Sequence, residues 1–153
     1  MESENREKSL IGITMGDPGG IGPEVILKAL TSPEIRAAAN YVVIGSEKVL
    51  SNISDRVLSD NISVLDLDNF TVNNALSHKP LPDSGKASVE YILKGLDLAI
   101  NGKIDALVTA PISKEAIKLA GYNYAGHTEL LKEKTSVENV VMFMVGKGLR
   151  VSF

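Results

Sequence analysis

The sequence predicts an α/β fold with a mainly parallel sheet flanked by helices. Three observations carry that expectation. Short apolar runs rich in β-branched residues, Ser9–Met15 (SLIGITM), Tyr41–Gly45 (YVVIG) and Ile104–Ala110 (IDALVTA), have the continuous hydrophobicity of strands buried on both faces. Segments of helical spacing stand between them, most clearly Val89, Ile92, Leu93, Leu96, Ala99 and Ile100. Glycines, prolines and capping residues mark the boundaries, and strands alternating with helices favour parallel pairing.

Each element can be justified in order. Residues 1–8 are charged, lack the apolar core of a signal peptide and are expected to form a disordered tail. The strand at 9–15 runs into Gly16-Asp17-Pro18-Gly19-Gly20-Ile21-Gly22-Pro23-Glu24, a dense turn-forming cluster. Pro23 suits a first helical position and Glu24 complements the helix dipole, so a helix follows, with Val25, Ile26, Ala29 and Leu30 on one face. Ser32-Pro33-Glu34 opens a short helix to about Ala39. A strand at 41–45, a helix over 46–53 and a short strand at 62–65 come next. The polar stretch 66–84, with Pro80 and Pro82, reads as an extended surface excursion. The helix carrying Val89 to Ile100 stops at Gly102, and the strand 104–110 follows. Ser113 caps a helix that Gly121 closes, and a further helix starts near Gly126 and ends by Ser136. Val140–Val145 and Leu149–Phe153 read as strands about a Gly146-Lys147-Gly148 turn.

Composition narrows the function. A hydrophobic fraction of 44% in 153 residues is enough for one packed domain. A net charge of −3 and 5% aromatics give neither the basic surface nor the stacking platform of a nucleic-acid binder. The absence of cysteine excludes a disulfide framework and a thiolate metal site, as in a cytoplasmic protein. No apolar stretch reaches the ~20 residues of a membrane span.

A glycine-rich turn between a first strand and a helix is where α/β proteins often hold a phosphate or cofactor. The cluster at 16–24 fits neither G-x-G-x-x-G, since Val25 stands at the third glycine position, nor the G-K-[ST] of a phosphate loop. Its residues leave two readings open, a ligand-contacting loop and a structural tight turn. Asp17 is correspondingly either a functional carboxylate or a partner of the turn backbone. Gly126-His127-Thr128-Glu129 places an imidazole and a hydroxyl at a helix start, where free N–H groups favour an anion. The alternative there is that Thr128 is an N-cap and His127 a surface residue. Lys114, at another helix start, has the sign that the helix dipole disfavours, unless it is merely solvated. His78 is most simply a surface residue.

As strings, three segments are more specific. Thr14 to Glu24 (TMGDPGGIGPE), Asp105 to Ala116 (DALVTAPISKEA) and Gly121 to Leu131 (GYNYAGHTELL) resemble, in order, three signatures of the 4-hydroxythreonine-4-phosphate dehydrogenase family of pyridoxal phosphate biosynthesis. The resemblance covers residues 9–153, and Gly19 stands where the family typically has alanine or glycine. It implies an isocitrate/isopropylmalate dehydrogenase-like fold of two α/β subdomains, incomplete here, and a homodimer. It implies NAD-dependent oxidation of 4-phosphooxy-L-threonine, a small phosphorylated hydroxy amino acid, to 2-amino-3-oxo-4-phosphooxybutanoate. That product decarboxylates to 3-amino-2-oxopropyl phosphate. By the same resemblance His127 and Thr128 bind substrate. A divalent metal (zinc, magnesium or cobalt) is implied with histidine ligands that are absent from this chain. Residues 9–153 are accordingly expected to be the N-terminal part of the dehydrogenase, ending before its metal-binding half and inactive alone. Catalytic and NAD-binding residues are not assigned. Oxidation of 4-phospho-D-threonate or 4-phospho-D-erythronate is the alternative within the family, and a non-catalytic truncated module the alternative outside it.

Overall fold

The computed structural model describes residues 8–54, 60–71 and 79–152. Residues 1–7 of the expected tail and residues 72–78 of the polar stretch, His78 among them, therefore lie outside the described residues.

Four parallel strands form the main sheet: β1 (Leu10–Thr14), β2 (Asn40–Gly45), β3 (Ile62–Asp66) and β4 (Ala106–Thr109), in the order β3-β2-β1-β4. The register pairs Ile13 with Val43 on one side and with Val108 on the other, and Val43 with Val64. Parallel strands require long crossovers, and helices supply them here. Helices α1 (Gly22–Leu30) and α2 (Pro33–Ala38) join β1 to β2, and α3 (Glu47–Ile53) follows β2. The 19-residue α4 (Pro82–Ile100) carries the chain back across β1, β2 and β4. Two short helices, α5 (Lys114–Leu119) and α6 (His127–Thr135), follow β4.

The local chemistry accounts for most boundaries. Pro23, Pro33 and Pro82 each stand in a first helical turn, where a missing N–H costs nothing. The Ser46 and Ser113 hydroxyls accept from the backbone N–H groups of Val49 and Ala116, capping α3 and α5. Gly102 and Gly121, with φ of +62° and +88°, stand where α4 and α5 give way to the next segment.

Four expectations are corrected. On α1 the buried residues are Gly22, Pro23, Ile26, Leu27 and Leu30, while Val25 and Ala29 face solvent. The helix stretch expected from Val89 begins a full two turns earlier, at Pro82. The strand expected over 104–110 is shortened to Ala106–Thr109. The apolar run 140–145 is extended only over its end: β5 (Phe143–Gly146) pairs antiparallel with β6 (Leu149–Ser152) as a separate two-stranded sheet. Its side chains are exposed, including Phe143, Val145 and Leu149, since no other described element packs on them.

The main core gathers Ile13, Met15, Val43, Ile44 and Leu50 with Leu27 and Leu30 of α1 and Tyr91 of α4. A smaller cluster of Val89 and Ile92 (α4), Ile117 (α5) and Leu130 (α6) joins the three later helices. The packing of α4 on α5 is close enough that a Cβ on Gly85 would overlap the Ala116 carbonyl. An alanine there would force the helices apart.

Tyr91 is fully buried and its hydroxyl has no hydrogen-bond partner among the described residues. Burial first, then the carboxylates of Asp66, Glu90 and Asp17, push the phenol well above its ordinary range. An unpaired buried hydroxyl costs about 1–3 kcal/mol. Tyr91→Phe is therefore expected to leave urea-unfolding stability unchanged or to raise it. A clear loss of stability would mean that the hydroxyl holds a buried water.

Candidate functional site

The strand order sets where a ligand can sit. From β1 the chain steps outward to β2 and β3, then returns through α4 to β4 on the other side of β1. The crevice outside the carboxyl ends of β1 and β4 is therefore the topological switch point, where open α/β sheets bind ligands.

Two loops leave the sheet at that point, and they are joined. The Asp17 N–H donates to the Pro111 carbonyl at 2.9 Å, and the Ala110 N–H to the Thr14 carbonyl at 3.1 Å. Gly16 makes the junction possible. It sits at φ +72°, and a Cβ would collide with the Pro111 and Ala110 carbonyls. Asp17, 6% exposed, turns its carboxylate inward, and Oδ1 accepts from the Gly19 N–H at 2.8 Å. The Asp17 side chain thus bonds the backbone of its own turn, as the structural reading of residues 16–20 expects.

The second half of the site comes from α6. Leu130, fully buried against α4 and α5, fixes its position. The preceding segment is held by Tyr122 and Tyr124, whose rings stack 6.2 Å apart, and by the Tyr124 hydroxyl donating to Glu133 Oε1 at 3.0 Å. The cap position is Gly126, with no side-chain cap. Thr128 is therefore not the N-cap. It lies exposed at the second helical position, where the backbone N–H has no intrahelical acceptor.

His127 opens α6 and is half-buried beside Ala110, at the carboxyl end of β4. The two residues are seventeen positions apart, and only the fold brings them together. Burial lowers the His127 pKa below the ordinary 6.5, and the Ala110 backbone partly offsets this. Its Nε2 is buried with no hydrogen-bond partner among the described residues. With the ring's one N–H turned to the Ala110 backbone, the neutral imidazole offers Nε2 to a ligand as an acceptor.

Lys114 is the residue whose place the sequence left open. It opens α5 directly after Pro111-Ile112-Ser113 and is exposed. A Cβ placed on Gly126 would lie 3.9 Å from Lys114 Cε and 3.5 Å from Glu129 Oε2. The structure thus assembles Lys114, His127, Thr128 and the free N–H groups of α6 at one place. It also holds Glu129 nearby.

Among the described residues no group of three or more His, Cys, Asp or Glu side chains could hold a metal ion. None of their helices is long and apolar enough to cross a membrane.

Comparison with known proteins gives the family and the fold. The family described as pyridoxal phosphate biosynthetic protein PdxA matches residues 25–153. A 4-hydroxythreonine-4-phosphate dehydrogenase of Desulforapulum autotrophicum is 38% identical over 161 residues, covering 94% of this chain and 47% of that protein. A Clostridium botulinum protein provisionally named D-threonate 4-phosphate dehydrogenase is 35% identical over 163 residues, covering 95% of this chain and 49% of its own. The crystal structure of a 4-hydroxythreonine-4-phosphate dehydrogenase from Burkholderia phymatum matches with a TM-score of 0.83 and 34% identity, over 96% of this chain and 49% of that one. The chain spans about half the length of the curated relatives it matches. The shared part has the isocitrate/isopropylmalate dehydrogenase-like fold.

The depressed pKa of His127 fixes a pH dependence. Well above pH 6.5 the imidazole is neutral in both folded and unfolded chains and contributes no slope. As pH falls below 6.5 the unfolded chain takes up a proton that the folded chain still refuses, so stability declines until the folded pKa is passed. In His127→Gln that part of the acid-side decline is expected to disappear, as read by urea unfolding at a series of pH values. An unchanged slope would show that burial does not hold His127 neutral.

Proposed function

The chain belongs to the PdxA family of pyridoxal phosphate biosynthetic proteins, and from that membership we propose that it supplies the substrate-binding part of an NAD-dependent 4-hydroxythreonine-4-phosphate dehydrogenase. The substrate on this reading is 4-phosphooxy-L-threonine. Its 3-hydroxyl carbon gives a hydride to NAD and its hydroxyl loses a proton. The 2-amino-3-oxo-4-phosphooxybutanoate so formed loses carbon dioxide to leave 3-amino-2-oxopropyl phosphate. The enzyme works as a homodimer.

One observation carries the binding role: the His127 Nε2 is buried without a partner at the uncapped start of α6, beside the switch-point crevice. Burying a polar atom unpaired is unfavourable, and a ligand hydrogen bond removes that cost. Thr128 adds a hydroxyl and a backbone N–H at the positive end of the helix dipole, which suits an anionic substrate. The described residues do not fit a divalent metal, so no step assigned to this chain passes through one. The loop 16–22 does not carry the dinucleotide fingerprint, and its one carboxylate is engaged by Gly19, so no NAD contact is assigned to it.

The Clostridium relative favours a second substrate, 4-phospho-D-threonate. Both compounds carry a phosphate and a neighbouring secondary alcohol, and they differ where the amino group of one is a hydroxyl in the other. Titration calorimetry with each compound separates the two. Tighter binding of 4-phospho-D-threonate would replace the first reading.

Two outcomes are expected. His127→Ala and Thr128→Ala should each weaken binding of the phosphorylated substrate by on the order of 1.5–3 kcal/mol, about ten- to a hundredfold. Thr128→Ala should leave the melting temperature nearly unchanged, because Thr128 is exposed and does not cap the helix. Wild-type affinity in both variants would remove these residues from the site. The 153 residues alone should bind substrate yet give no NADH when supplied with NAD and a divalent metal. Measurable NADH would show that the chain is catalytically sufficient.

A further inference from the structure

We infer that Lys114 is a third substrate-binding residue of this site, holding the phosphate group of the ligand across the open N-terminus of α6. The inference rests on the reading of His127 and Thr128 as substrate-binding residues.

Geometry comes first. Lys114 stands at the head of α5, at the end of the 110–113 loop that leaves β4. Its Cε lies within van der Waals reach of the space beside Gly126, the residue that opens α6 without a side-chain cap. The same loop is pinned to the loop after β1 through Asp17 and Pro111, so the base of Lys114 sits on the rigid edge of the switch-point crevice.

Electrostatics gives the reason for an anion. A cation is disfavoured at a helix N-terminus, and Lys114 is placed near two, its own and that of α6. The carboxylate brought near it is that of Glu129 on α6, whose Oε2 approaches the same glycine, while Glu115 follows it on α5. Yet Lys114 forms no ion pair with either among the described residues. An ammonium and the unsatisfied N–H groups of a helix start are the donors of a phosphate site, and the free imidazole nitrogen beside them is placed to accept from a ligand hydroxyl. A neutral ligand would leave that positive potential uncompensated.

The test is calorimetric titration of the chain with 4-phosphooxy-L-threonine and with its unphosphorylated counterpart, 4-hydroxy-L-threonine. Lys114→Gln is expected to weaken the phosphorylated ligand about tenfold. It should leave the unphosphorylated ligand and the melting temperature unchanged, and Lys114→Arg should largely restore affinity. Equal affinity of Lys114→Gln and wild type for the phosphorylated ligand overturns the inference. So does an equal loss for both ligands, or a lowered melting temperature with affinity intact, the result expected if Lys114 only offsets Glu129. If binding disappears in His127→Ala but survives in Lys114→Gln, Lys114 alone is removed from the site. If the wild-type chain shows no binding to either ligand, the reading of His127 and Thr128 falls, and this inference with it.

Discussion

The pairing of β1 with β4 is the constraint on which the site depends. The two strands are separated by more than ninety residues, yet they lie side by side, with Ile13 opposite Val108 and Thr14 opposite Thr109. Closing so long a loop costs chain entropy, which the continuous apolar interior of the sheet must offset. Once the pair has formed, the loops beyond it have nowhere to go but against each other. Gly16 permits the contact by adopting φ +72° where any Cβ would strike the Pro111 carbonyl. Asp17 then fixes the turn from within, leaving its N–H to Pro111. The glycine-rich loop is thus a spacer that holds the β4 exit in place, and the groups suited to a ligand come from the β4 side.

A second, weaker constraint sets the other wall. Helix α6 has nine residues, of which only Leu130 is fully buried. Its position therefore rests largely on one side chain entering the gap between α4 and α5, with Tyr122 and Tyr124 packed beside it. A short polar helix anchored at one point keeps its first turn open to solvent. That is the condition for its N–H groups to meet a ligand, since a capped or buried start would already be satisfied. The same anchoring sets His127 against Ala110, where partial burial lowers the imidazole pKa.

The sequence made the strands and most caps legible because their signals are local. Buried parallel strands are uninterrupted apolar runs, so β1 and β2 fall within a residue or so of where the pattern puts them. Ser113 and Gly121 bracket α5 by cap chemistry that needs no tertiary partner. The misreadings share one cause, packing that periodicity does not encode. The first turns of α4 contain Ser84, Gly85 and Ser88, which look like surface residues but are buried because α5 closes on them. On α1, Gly22 and Pro23 go inward against the end of β1, which rotates the buried face away from Val25 and Ala29. The run 140–145 is apolar without being covered by any described element. Of the site, His127 and Thr128 were visible as a motif. Their proximity to Ala110 and Lys114 was not, since it arises only when β4, α5 and α6 are assembled.

The charge balance shows why composition alone could not reveal an anion site. The chain carries a net −3, and its lysines and arginines are dispersed, so no long-range field draws an anionic ligand to it. On the proposed function, recognition of a phosphorylated substrate would come from oriented short-range donors, which act within a few ångströms and add nothing to the net charge. Helix starts are such donors, because each exposes unpaired N–H groups whatever side chains it bears. Two of them, at Lys114 and His127, are brought to the same crevice by the crossover from β4. Acidic residues elsewhere on the surface do not oppose them, being screened within about 10 Å at moderate salt. Glu129 is the exception, close enough to compete for Lys114. Its failure to pair leaves the ammonium available, which distinguishes a poised site from a satisfied surface.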